Sequence, residues 1–120
     1  LQALAAEHLG RPVDDLPVRM MLASPELRTV LVSIHVSLRG ALEAVTCENV
    51  LSTVRITAAH FARLGRPGVR IAVAGLNPHA GEGGLFGREE IDHIAPAVAE
   101  ARAEGLQVTG PHAPDTVFMR

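Results

Sequence analysis

The side chains of this sequence best suited to chemistry near neutral pH are its six histidines, as proton carriers or metal ligands. Two of them stand apart by position. His35 and His79 each lie just past the C-terminal end of a predicted strand, the edge at which α/β proteins build their sites. Imidazoles far apart in sequence but at one sheet edge could share a metal ion, since imidazole suits Zn, Co, Ni and Fe. Two ligands do not complete a tetrahedral site, so spacing alone leaves this reading open. His8, His60 and His93 fall within predicted helices and read as surface or partly buried polar residues, while His112 sits in a Pro-bounded loop and is undecided. Glu82, Glu89 and Glu90 are carboxylates near His79. Glu89 and Glu90 open a predicted helix, where the helix dipole favours negative charge, and read as dipole partners rather than acids or bases. Cys47 has no histidine beside it and reads as a small core residue.

His79 lies in a loop crowded with glycine, from Gly75 to Glu90, between an apolar run and a predicted helix. A dinucleotide fingerprint G-x-G-x-x-G begun at Gly81 and Gly83 needs glycine at position 86, which holds Phe86; Gly87 comes one residue late. No Lys-Ser/Thr pair makes the loop a phosphate-binding P-loop. The glycines are therefore expected to let the backbone turn tightly around His79.

The elements that must position these residues follow from periodicity and punctuation. Residues 1–9 show helical spacing and are stopped by Gly10-Arg11-Pro12. Residues 18–23 and 27–34 read as strands around a turn at 24–26. Ser37 can cap a short helix through Val45, and Thr46 a longer one through Leu64; Asn49 stands where Glu or Gln would complete a capping box. Gly65-Arg66-Pro67-Gly68 ends that helix. A strand over 69–74, the loop, a helix over 88–104 interrupted by Pro96, and a strand over 106–110 complete the chain. Strands alternating with helices predict an α/β protein, a mixed sheet flanked by helices. The chain starts within helical periodicity and stops without a closing element, so both ends are expected to be truncated.

Composition excludes several classes. The 120 residues are 48% hydrophobic and 20% charged, enough for a packed core. Trp and Tyr are absent, Phe occurs three times and the cations are scattered around a net charge of −2, which argues against nucleic acid as a partner. No apolar run approaches the ~20 residues of a membrane span, and no signal peptide is visible. A single cysteine forms neither an intrachain disulfide nor a Cys-rich zinc site, so a cytoplasmic location is the default.

The segment Leu76-Asn77-Pro78-His79-Ala80-Gly81-Glu82-Gly83-Gly84, followed by Phe86-Gly87 and Glu89-Glu90-Ile91, resembles the signature of the PdxA family, the 4-hydroxythreonine-4-phosphate dehydrogenases of vitamin B6 biosynthesis. Met20-Met21-Leu22, the run ending in His35, Thr46 with Asn49-Val50, residues 70–76, and Gly110-Pro111 through Pro114-Asp115-Thr116-Val117-Phe118 match in the same order. The resemblance implies a fold like that of the isocitrate and isopropylmalate dehydrogenases. It implies NAD or NADP bound without a standard fingerprint, and a homodimer sharing a divalent metal (Zn, Mg or Co) between subunits. His35 and His79 correspond to the first and second metal-binding histidines; the third falls in a His-Asp-Gln segment beyond Arg120, and a substrate-binding His-Thr pair before Leu1. Residues 1–120 are accordingly expected to be the central part of such an enzyme. Asp115 matches an acidic position to which no role is assigned, and no catalytic or cofactor-binding residue is assigned within the chain. The implied reaction is oxidation of a secondary alcohol of 4-phosphooxy-L-threonine, followed by decarboxylation. Val36-Ser37-Leu38 and Leu85 depart from common family residues. Some relatives act instead on the cis-dihydrodiol of terephthalate or on four-carbon sugar-acid phosphates. A non-catalytic metal-binding or dimerisation module is the competing reading of the chain by itself.

Overall fold

A computed structural model describes residues 19–23 and 27–114. The expected helix over 1–9, the turn at 24–26 and Asp115 lie outside the described residues. The chain divides into two units, residues 1–31 and 32–120.

In the first unit, β1 (Met21–Ala23) pairs antiparallel with β2 (Arg28–Val30), Met21 opposite Val30 and Ala23 opposite Arg28. The Leu31 amide donates to the Met20 carbonyl at 3.0 Å, the last bond of the ladder among the described residues. The second strand is thus shorter than the β-branched run predicted. Its hydrogen-bonding partner, β1, is only 3 residues long, and a strand without a ladder leaves its backbone groups to water.

Among its described residues the second unit holds three α-helices and a parallel strand pair. Ser37 caps α1 (Leu38–Ala44), its hydroxyl accepting from the Gly40 amide at 3.0 Å, yet α1 buries none of its residues. Thr46 caps α2 (Cys47–Arg63), accepting from the Asn49 amide at 3.1 Å. Asn49 does not close a capping box. Its side-chain amide donates to the Ala44 carbonyl at 2.8 Å, tying the end of α1 to the start of α2.

One face of α2 supplies Val50, Leu51 and Val54 to the core, at helical spacing. They meet Ile94 and, from α3 (Ala95–Ala103), Ala97, Val98 and Ala101, with Val108 of β4 (Gln107–His112) closing the cluster. Two alanines with no exposed surface bring α3 close to its neighbours. Cys47 is half-buried and packs at the margin of this core. Arg55 on α2 pairs with the Glu104 carboxylate just past α3, its Nε at 3.0 and 3.1 Å from the two oxygens.

The predicted single helix over 88–104 is two segments. A π-helical turn, Glu90–Ile94, runs directly into α3, the Ala95 amide donating to the Glu90 carbonyl. Pro96 lies in the first turn of α3. It brings no amide to the ladder, so a wider turn just ahead of it costs one bond fewer than elsewhere in a helix.

β3 (Arg70–Ala74) runs parallel to β4, with Ile71 opposite Val108 and an irregularity between Ala72 and Ala74. The strand containing Leu106–Gly110 in the sequence reading extends to His112, so His112 ends a strand and is not in a loop. The extension needs Gly110, whose φ is +125°; a Cβ there would stand 2.4 Å from the Val73 carbonyl oxygen. The mixed sheet expected from the sequence is, among the described residues, one antiparallel and one parallel pair.

Candidate active site

The parallel register fixes where the glycine-rich loop begins. The Gly75 amide donates to the His112 carbonyl at 2.7 Å, so the loop leaves the sheet at the C-terminal end of β3. Asn77 is still extended, at φ −95° and ψ 160°, and Pro78 follows it. The backbone then enters the left-handed region and stays there. His79, Ala80, Gly81, Glu82 and Gly83 have φ of 55°, 53°, 83°, 44° and 69°. L-residues visit this region as single residues, at about 1–2 kcal/mol each, because Cβ crowds the following carbonyl. Three of these five carry a side chain. The glycines therefore do only part of what the sequence suggested: His79 is itself strained.

That strain must be offset, and Glu90 is the group that meets the loop. Its side chain is buried, 3% exposed. One carboxylate oxygen, Oε2, accepts the amides of Leu76 at 2.6 Å and Asn77 at 2.8 Å. The other, Oε1, accepts from Asn77 Nδ2 at 2.9 Å, and the same nitrogen donates to Glu89 Oε1 at 2.7 Å. Gly81 is buried against this carboxylate, and a Cβ on it would come within 2.7 Å of Oε1. Burial pushes the Glu90 carboxyl up, but hydrogen bonds from the Asn77 side chain and from the Asn77 and Leu76 amides outweigh it, and the group titrates below its ordinary value. Glu90 is thus more than the dipole partner read from sequence. The dipole account fails physically because a surface partner of a helix end stays solvated, whereas this carboxylate turns back into the preceding loop. The signal available was the side-chain amide of Asn77, a donor thirteen residues earlier, and nothing in its spacing marks the pair.

The His79 ring is exposed. Its Nδ1 stands 3.8 Å from Glu82 Oε2, an ion-pair separation rather than a hydrogen bond. The Phe86 ring meets it edge-on, centroids 5.9 Å apart and planes at 82°. Phe86, the residue that breaks the dinucleotide fingerprint, here flanks the histidine.

His35 lies five residues past the end of β2, not at the strand edge, and two residues before the α1 cap. It too is exposed, and its φ is +55°, matching that of His79. Among the described residues no group of three or more His, Cys, Asp and Glu side chains is placed to hold a metal ion. His60 on α2 is exposed beside Phe61, and His93 is half-buried in the π turn. His112 Nε2 lies 2.8 Å from the Thr109 hydroxyl. His8 is outside the described residues.

A parallel strand ending in a strained loop, with an exposed histidine and a helix following it, defines an α/β protein whose histidine loop leaves the C-terminal end of β3, the edge at which such sheets commonly carry their sites. The chain belongs to the PdxA family: the family described as pyridoxal phosphate biosynthetic protein PdxA matches residues 5–120. It is 55% identical over 103 residues to the 4-hydroxythreonine-4-phosphate dehydrogenase of Beijerinckia indica, covering 86% of this chain and 31% of that one. A crystal structure of the Klebsiella pneumoniae 4-hydroxythreonine-4-phosphate dehydrogenase matches with a TM-score of 0.81 and 48% identity, over 84% of this chain and 30% of the other. The terephthalate 1,2-cis-dihydrodiol dehydrogenase of Burkholderia xenovorans matches with a TM-score of 0.87 and 31% identity, over 99% of this chain and 38% of the other. The chain thus spans about a third of the length of the curated relatives it matches. The α/β fold of the isocitrate and isopropylmalate dehydrogenase kind expected from the sequence is the fold of these neighbours.

Proposed function

We propose that the complete protein is a nicotinamide-dependent dehydrogenase that oxidises 4-phosphooxy-L-threonine, with subsequent decarboxylation, in the biosynthesis of pyridoxal 5'-phosphate. The observation that carries this reading is the identity to relatives named for that activity across the whole histidine loop and its flanking elements. The cofactor is NAD or NADP. The substrate is a small phosphorylated molecule, and the location is the cytoplasm, where nicotinamide coenzymes are held. No described helix is long and apolar enough to cross a membrane.

Within the chain, His35 and His79 are the two residues proposed to hold a divalent cation, Zn, Mg or Co, in a homodimer whose metal site is shared between subunits. Their fit is supported by the donor chemistry and the backbone. Both are exposed imidazoles, and both are held at a φ that a histidine adopts only at a cost. The chemistry a cation supplies at such a site is Lewis acidity toward the substrate hydroxyl oxygen. Residues 1–120 are the central part of the enzyme in this reading, and the chain alone is expected to give no turnover.

The likeness to a terephthalate dihydrodiol dehydrogenase over nearly the full chain favours one second reading, the same hydride chemistry on a cis-dihydrodiol. The test is spectrophotometric. The complete protein with a divalent metal, NAD+ or NADP+ and 4-phosphooxy-L-threonine is expected to produce absorbance at about 340 nm, the band of a reduced nicotinamide. No absorbance with that substrate, and turnover of the dihydrodiol, establishes the second reading instead.

A further inference from the structure

We infer that Glu90 is a positioning residue for His79: its buried carboxylate holds the loop in the left-handed course that presents the imidazole. This inference rests on the reading of His79 as a metal ligand.

Three observations converge on it. The carboxylate is engaged by its own loop. Oε2 takes two successive backbone amides, and Oε1 takes the Asn77 side chain, so its acceptor positions face the chain and not a ligand. Those two amides lie just before Pro78 and the left-handed run, the second on the still-extended Asn77, and they fix the direction in which the chain leaves β3. The loop then folds back on the same group. The Cα and Cβ of Ala80 lie 3.1 Å from the position a Cβ on Gly75 would take, and Gly81 lies directly over Oε1. His79 therefore sits on a short span whose two ends, residues 76–77 and residue 81, both rest on one carboxylate. Without that anchor, the φ of His79, Ala80 and Glu82 can relax to the ordinary right-handed region, which reverses the course of the backbone and moves the ring.

The π turn contributes as well. It begins at Glu90 and adds one residue to the helical turn, which sets the azimuth of Glu90 relative to the core residues Ile94 and Val98. Glu90 reaches the loop while α3, which follows the π turn, keeps its apolar face inward.

The test is Co2+ binding by the complete protein, followed by visible d–d absorption, with Glu90→Gln, Asn77→Ala and His79→Ala. Gln keeps the shape of Glu90 but sets a donor against a donor at Leu76, Asn77 or the Asn77 side chain. Glu90→Gln is expected to weaken Co2+ binding by roughly ten- to a hundredfold, the range for partners of metal-bound residues, and to change the d–d band. If that variant does not fold, Asn77→Ala carries the test, since it keeps both backbone bonds; a loss of about threefold or more is expected. Wild-type affinity and band shape in the folded Glu90→Gln protein, or in Asn77→Ala where it stands alone, overturn the inference. If His79→Ala loses Co2+ in that same experiment, the ligand reading survives without it. If His79→Ala binds Co2+ as the wild type does, the ligand reading fails and the inference falls with it.

Discussion

Glu90 couples the charge of one carboxylate to the geometry of the loop before it, and that coupling has a pH signature. Its carboxyl titrates below the ordinary value because, against the cost of burial, three donors favour the charged form. A carboxyl lowered on folding stabilises the folded state above its unfolded value of about 4.3, and that contribution is lost as pH falls through the folded value. The complete protein is therefore expected to lose, on acidification below about pH 4, stability that Glu90→Gln never had. Urea unfolding of both proteins at neutral pH and near pH 3.5 checks this. The gap between them should narrow at the lower pH, and a constant gap means that the charge of Glu90 is not what holds the loop. At this scale the sequence was only partly legible. His35 and His79 stand out because histidine near a strand end is chemically suggestive. Glu90 does not, because an acidic residue at the start of a helix has a bland and usually sufficient explanation. The positive φ of His79 is invisible for a further reason: the residues with side chains in the left-handed run, His79, Ala80 and Glu82, have no intrinsic preference for it, and tertiary contacts impose it.

Elements divide into those specified locally and those that depend on partners. Helix α2 was readable because Thr46 caps it and Val50, Leu51 and Val54 recur on one face; the burial of that face confirms the pattern. Its energetic weight can be measured. Leu51 is 5% exposed in the cluster with α3 and β4, and Leu51→Ala is expected to cost about 2–5 kcal/mol through lost transfer energy and the cavity left behind. Thermal or urea unfolding reads this directly, and a change below about 1 kcal/mol would mean that the site collapses fully around the smaller residue. Removing the Arg55–Glu104 pair, which links α2 to the end of α3, is expected to cost far less, because both side chains are partly solvated. β2 was overestimated because β-branched composition signals strand preference but not ladder length, which the partner strand decides. The π turn was missed because it has no spacing signature of its own; Pro96 marked only that something irregular stood nearby.

Among the described α-helices, protection from solvent is uneven, and α1 is the one that buries no residue. It is a helix of seven residues with no buried side chain, and Leu38 is 80% and Leu42 46% exposed. A helix this short is not stable by its own hydrogen bonds, because nucleation costs more than so few bonds return. The Ser37 cap and the link from Asn49 to Ala44 hold its two ends, but no apolar face anchors it. Its consequence is one of timescale. The backbone amides of α1 are expected to open independently of α2 and exchange with deuterium long before those of Val50, Leu51 and Val54, whose opening requires the core to come apart. Hydrogen–deuterium exchange followed by mass spectrometry on the 120-residue chain and on the complete protein measures the difference. Slow exchange of α1 in the chain alone would show that its two end ties are enough. Protection gained only in the complete protein would show that contacts outside these 120 residues, and not the two end ties, order the segment after His35.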